Sequence, residues 1–322
     1  MATTLVIALI AGCTSAVMFA SIISGVLFSL VLFYLAPLPL FVAALGWGPL
    51  AAFAGSAIGG IGLGVIFGPA YFVVFMISVA APACWLGHLM LLAKPLTGDA
   101  STAPASPEAL QWYPTGRLLL WIAVCACVIT ACVMLTLGTD DASIRAALRA
   151  GLTRALGRAA DTIENADRAL DLLTDIAPAA ATIMAMATFS INVWIATKVV
   201  AMSGRLRRPW PDLRSIELPK GALIATVAAL TLSFAGGTVG LLSQLAAAAL
   251  MMAFTITGFA VLHIITQAMT SRRIWLTAAY ASVFVFGWPA VAVAALGMAD
   301  TIVGFRQRLK AGHPPVPQHP HT

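Results

Sequence analysis

Residues 1–93 read MATTLVIALIAGCTSAVMFASIISGVLFSLVLFYLAPLPLFVAALGWGPLAAFAGSAIGGIGLGVIFGPAYFVVFMISVAAPACWLGHLMLLA, without one Asp, Glu, Lys or Arg. The first charged side chain is Lys94. A soluble domain cannot present that much surface without charge. A bilayer selects against charge, since each one at its centre costs roughly 2.5–3.5 kcal/mol on insertion scales. The rest of the 322-residue chain agrees, with 61% hydrophobic and 9% charged residues and a mean hydropathy of +0.96. The composition predicts an all-α integral membrane protein whose first partner is the lipid bilayer. At about 20 residues per crossing, its apolar stretches hold roughly eight to ten spans. Such long unbroken runs do not fit the short alternating strands of a membrane β-barrel.

Turn residues divide the charge-free block, 1–93, at Ser24-Gly25, Gly46-Trp47-Gly48-Pro49 and Gly68-Pro69. Four spans fit best, near 3–23, 26–45, 50–67 and 70–93, with three longer ones as the alternative. The second contains Ala36-Pro37-Leu38-Pro39, which predicts a kink or break. Non-helical backbone at that depth must face protein or a wet cavity, never lipid. Ala8, Gly12, Ala16 and Ala20 repeat at i+4 along the first span and form a flat ridge for another helix, internal or from a partner. The third span carries one small-residue row of Ser56, Gly60, Gly64 and Gly68 and another of Gly55 and Gly59.

A polar loop at 94–117 and a fifth span at 118–138 follow. From Asp140 to Asp175 the chain carries 5 basic and 7 acidic residues, against 13 and 5 in all the rest. Apolar residues there recur every 3.6 positions, which predicts one long extramembrane amphipathic helix over 139–176. Asp140 or Asp141 can cap it, and Glu164 with Arg168 is an i,i+4 pair. Four of its five arginines lie in the first half and most of its acids in the second. Residues 177–304 form a C-terminal membrane bundle, ending in a stretch interrupted at Gly287-Trp288-Pro289 that reads as a hairpin or one kinked span. Residues 305–322 form a Pro- and His-rich tail.

The net charge of +6 does not point to nucleic acid, because the excess lies in short loops and the tail. Ser203–Lys220 is basic and reads as cytoplasmic by the positive-inside rule, which puts Asp140–Asp175 on the outer side of a bacterial inner membrane. No phosphate-binding loop, metal-ligand spacing or nucleophile elbow is present, so no catalytic residue, metal site or cofactor is predicted. The candidates for chemistry are polar residues inside apolar spans, each costly unless paired or used. On the predicted helix 239–270, Gln244, Thr255, His263, Thr266, Gln267 and Thr270 share about 140° of arc. Asn192 with Thr188 and the isolated Asp300 complete the set.

Phe33-Tyr34-Leu35-Ala36-Pro37-Leu38-Pro39, Asn192-Val193-Trp194, the loop Ser203-Gly204-Arg205-Leu206-Arg207-Arg208-Pro209-Trp210-Pro211-Asp212-Leu213, Gly297-Met298-Ala299-Asp300 and Phe305-Arg306 are the most distinctive local patterns. In these the chain resembles a bacterial family of uncharacterised multipass membrane proteins typified by YybS. That family is distantly similar to the S-components of energy-coupling-factor transporters, whose first-helix ridge meets a coupling subunit. The resemblance implies such a role for Ala8, Gly12, Ala16 and Ala20. The extra spans and the charged 140–175 segment depart from that pattern. The expected function is binding or passage of an unknown small molecule, with Asn192, Gln244, His263, Gln267 and Asp300 as ligand-binding candidates, and not enzymatic turnover. The alternative is a non-transporting scaffold that recruits a membrane-protein partner or a second copy through its helix ridges.

Overall fold

The computed structural model describes residues 2–95, 110–157, 165–212, 214, 216–306 and 308. Among them the chain is an all-α membrane bundle. Seven helical stretches are long and apolar enough to cross a bilayer, and Lys220–Ala235 and Pro289–Val303 are shorter apolar helices. The charge-free block supplies four of the seven. These are α1 (Ala2–Ala20) with a 3-10 turn to Ser24, α2 (Leu27–Leu35) with α3 (Leu38–Trp47), α4 (Pro49–Phe67), and α5 (Pro69–Phe75) joined through a π turn to α6 (Ala81–Leu91). Gly48 at φ 102° and Gly68 at φ 99° turn the chain, and the proline after each starts the next helix where a missing N–H costs nothing. In place of a plain polar loop, a short antiparallel pair, β1 (Ala93–Pro95) and β2 (Leu110–Trp112), leads into α7 (Thr115–Leu137).

The second span is broken at Ala36-Pro37, and the freed backbone faces protein. The Ser15 hydroxyl donates to the Ala36 carbonyl at 2.6 Å. Asn192 Nδ2 donates to the Tyr34 carbonyl at 2.8 Å, which in an unbroken helix would accept from Leu38. Asn192 is 1% exposed and also donates to the Thr188 carbonyl.

The small residues seat this chain's own helices. A side chain at Gly55 would meet the Ala8 carbonyl at 2.8 Å, and one at Gly59 the Gly12 carbonyl at 2.6 Å, so α1 and α4 touch backbone to backbone. On the other row, Gly60 and Gly64 receive the Phe72 side chain of the fourth span. Of the two helices the ridge Ala8, Gly12, Ala16 and Ala20 was read to seat, internal or a partner's, an internal one lies against it. Ala8, Gly12 and Ala16 are buried, and α4 occupies the groove.

A correction concerns 139–176, which is not one helix. The first part is α8 (Asp141–Leu156), capped by Asp140, whose side chain accepts the Ser143 N–H at 3.2 Å. Hydrogen bonds from Ser143 hold the Asp140 carboxyl below the usual carboxylate range. The acidic part begins α9 (Ala166–Met202), a 37-residue helix that continues unbroken into the sixth span. Gly157 at φ 48° and Asn165 at φ 64° end one helix and begin the next. Arg145 then pairs with Asp175, and Arg149 with Asp167 and Asp171 at 2.8 and 2.7 Å. The split of arginines from acids is thus the signature of an antiparallel hairpin. The stretch 98–107, Arg158, Asp161, Glu164, and the tail histidines His313, His319 and His321 lie outside the described residues.

Spin labels at Arg145→Cys and Asp175→Cys should report a separation within two helix diameters, about 20–24 Å. One continuous helix would hold them about 45 Å apart. Double electron–electron resonance distinguishes the two directly.

The C-terminal part comprises α10 (Lys220–Leu232), α11 (Gly237–Ile265), α12 (Arg272–Phe286) and α13 (Pro289–Val303). Gly287 at φ 72° breaks the last apolar stretch into two helices, as the Gly-Trp-Pro interruption predicts. Gly258 and Gly297 place α13 against the backbone of α11. At one end of the bundle the segment between α9 and α10 meets the start of α7 at Gly116 and, beyond α13, Arg306, while Arg205 lies 4.7 Å over the Trp47 ring. This is the basic end. The α8–α9 hairpin lies at the other, where Gln244 Nε2 donates to the Asp175 carbonyl at 3.3 Å.

Candidate functional site

Between α7, α9, α11, α12 and the segment 208–216 lies a cavity of about 790 Å³. Its walls are mostly apolar. Leu118, Leu119 and Ile122 come from α7, Val193 and Trp194 from α9, and Ile256, Phe259 and Ala260 from α11. Tyr280 of α12 closes one side by stacking on Phe259, with ring centroids 4.2 Å apart and planes at 8°. Burial of α9 and α11 against their neighbours fixes these walls, while α12 packs on α13 and on the turn after α11 as well as through this aromatic contact.

The remaining wall is a strap of Arg208, Trp210, Pro211, Asp212, Arg214 and Ile216. Among its described residues only Arg214 is helical, in a 3-10 turn, and side chains anchor the rest. Ile216 and Leu218 are buried apolar anchors. Asp300 and Arg306, 5% and 4% exposed, form a buried ion pair with Arg306 Nη2 at 2.7 Å from Asp300 Oδ2. The same guanidinium donates through Nη1 to the carbonyls of Arg214 at 2.9 Å and Ile216 at 2.7 Å. Gly304, left-handed at φ 67°, turns the chain after α13 so that Arg306 can reach back to Asp300. Asp300 is therefore a latch for the strap and not a ligand-facing acid.

Polar groups enter the apolar wall at few places. Arg208 is 8% exposed, and its Nη1 is buried without a hydrogen-bond partner among the described residues. Burial pushes its pKa down from the ordinary arginine range. Ser190 Oγ in the α9 wall is likewise buried and unpartnered. The Asp212 carboxylate accepts the Arg214 backbone N–H at 3.0 Å. His263 sits edge-on to the Tyr280 ring, and its Nδ1 lies 3.0 Å from the Phe259 carbonyl. A carbonyl can only accept, so Nδ1 donates in this contact.

Of the five ligand-binding candidates, the cavity contains His263 alone. Asn192 holds the broken second span, and Gln244 lies at the opposite end of the bundle. Gln267 is exposed in the 3-10 turn that follows α11, because that helix ends at Ile265 and the predicted polar face ends with it. Within the stripe, the Thr255 hydroxyl joins α11 to α13 through the Ala290 carbonyl at 3.3 Å. Sequence reasoning missed Arg208, Ser190, Trp210 and Tyr280. The basic loop was read for orientation and for resemblance, although Pro209-Trp210-Pro211, a tryptophan between two prolines, also marks a stiff segment. Among the described residues no three His, Cys, Asp or Glu side chains gather as metal ligands.

The family model described as Predicted membrane protein (DUF2232) matches residues 13–301. No curated protein and no solved structure matches the chain.

Proposed function

We propose, for a chain that belongs to the DUF2232 family of predicted membrane proteins, that it binds a small molecule in the cavity behind the strap and serves as a membrane-embedded binding or transport subunit. One observation carries this reading. A mostly apolar cavity of about 790 Å³ has two buried polar atoms, Arg208 Nη1 and Ser190 Oγ, without partners in its wall. Ligand sites commonly have that size and that sparse polar lining. Unpaired buried donors, above all cationic ones, are costly, and a bound acceptor relieves them.

The basic end, with Arg205, Arg207, Arg208, Arg214 and Lys220, faces the cytoplasm in this reading, and the α8–α9 hairpin faces outward from a bacterial inner membrane. The cavity then lies at the cytoplasmic side. The scaffold alternative has less support, since α4 covers the ridge that was to recruit a partner. The same packing removes the basis for an S-component-like coupling contact through Ala8, Gly12 and Ala16. The role proposed is binding without turnover.

The test is retention of a co-purified molecule. Ala260→Phe fills part of the cavity from the α11 wall. Wild-type protein should release a defined small molecule on solvent extraction, and the variant should release little, with helicity unchanged by circular dichroism. Equal release from both would overturn the assignment.

A further inference from the structure

The strap borders more than one space. A second chamber of about 520 Å³, more polar than the first, lies on the far side and is lined by Tyr113, Arg117, Glu217 and Pro219. Thr115, Arg208, Pro211 and Asp212 line both chambers. Arg208 thus stands where an apolar chamber among the helices meets a polar chamber at the basic end.

Resting on the binding role above, we infer that the ligand is an amphiphile with one anionic oxygen group, a carboxylate or phosphate, held at Arg208. Its apolar tail lies in the chamber between α7, α9, α11 and α12. The charges favour an anion. Arg117, Arg208 and Arg214 line the two chambers against Asp212 and Glu217, which leaves one positive charge in excess. Of that set, Arg208 is 8% exposed, and its Nη1 is buried without a partner among the described residues. An oxyanion accepts from a guanidinium in a planar fork, a geometry that an ester or alcohol does not reproduce. Ser190 Oγ adds a second unpartnered group on the apolar side. A free inorganic anion would leave the larger, apolar chamber unfilled. A neutral lipid would leave the guanidinium unpaired.

Trp194 and Trp210 in the wall make binding observable, because bromine quenches tryptophan fluorescence on contact. The full chain in an uncharged maltoside detergent is titrated with 9,10-dibromostearate, with its methyl ester, and with a dibrominated phosphatidylglycerol. An anionic probe should quench at about tenfold lower concentration than the ester. Arg208→Gln should erase that difference, Arg208→Lys should restore part of it, and Trp210→Phe should shrink the quenched amplitude. The tighter of the two anionic probes identifies a free acid or a lipid headgroup as the source. Equal quenching by acid and ester would overturn the anionic assignment while leaving the cavity a binding site. Displacement of the probe by millimolar inorganic phosphate would overturn the amphiphile in favour of a soluble anion. Absence of saturable quenching by any probe would overturn both this assignment and the binding role.

Discussion

Arg306→Met is expected to lower stability by about 3–5 kcal/mol, because it removes one partner of a buried ion pair and leaves the Asp300 carboxylate without a counter-charge. The same change removes the donors to the Arg214 and Ile216 carbonyls, so the strap loses its anchor beyond α13. Replacing both partners, Asp300→Asn with Arg306→Met, should recover a large part of the loss, since no unpaired charge is then buried. Thermal melts of the two variants beside wild type test this. A single variant within about 0.5 kcal/mol of wild type, the range of ordinary surface substitutions, would mean the latch holds nothing.

Gly12→Leu is the second large effect. The groove that receives Gly12 is built from Gly55 and Gly59, and any Cβ at position 12 runs into the Gly55 carbonyl. Backbone cannot rotate away as a side chain can. The cost should reach or exceed the upper part of the roughly 1–3 kcal/mol typical of overpacked cores. A melt well below wild type is expected, with Cys13→Leu, one position along and exposed, as a tolerated control. A Gly12→Leu protein of wild-type stability that loses a co-purifying partner would instead restore the ridge to an external role.

Much of the membrane architecture was legible in the charge-free block. Spans follow from where charge is absent, and the Gly-Pro turns at 48–49 and 68–69 and the break at Pro37 follow from backbone chemistry that each residue carries locally. What was misread depends on contacts between distant residues. Asn192 looks like a ligand group because it is polar in an apolar span, yet its partner is the Tyr34 carbonyl, 158 residues away. Asp300 and Arg306 are six residues apart, a spacing that does not meet on a helix, and only the left-handed Gly304 brings them together. The charged segment shows helical periodicity on both sides of Gly157, so periodicity alone cannot reveal the reversal. Arg208 was hidden among neighbours that serve as orientation signals, and its burial is a property of the strap rather than of its local sequence.

The central claim is that the cavity behind the strap is a binding site. Native mass spectrometry of the protein released from detergent measures this most directly. Wild-type protein should carry one additional mass in 1:1 ratio that departs on collisional activation, and Ala260→Phe should fly as the bare polypeptide. A wild-type spectrum of bare polypeptide alone, from protein that melts cooperatively, would contradict it.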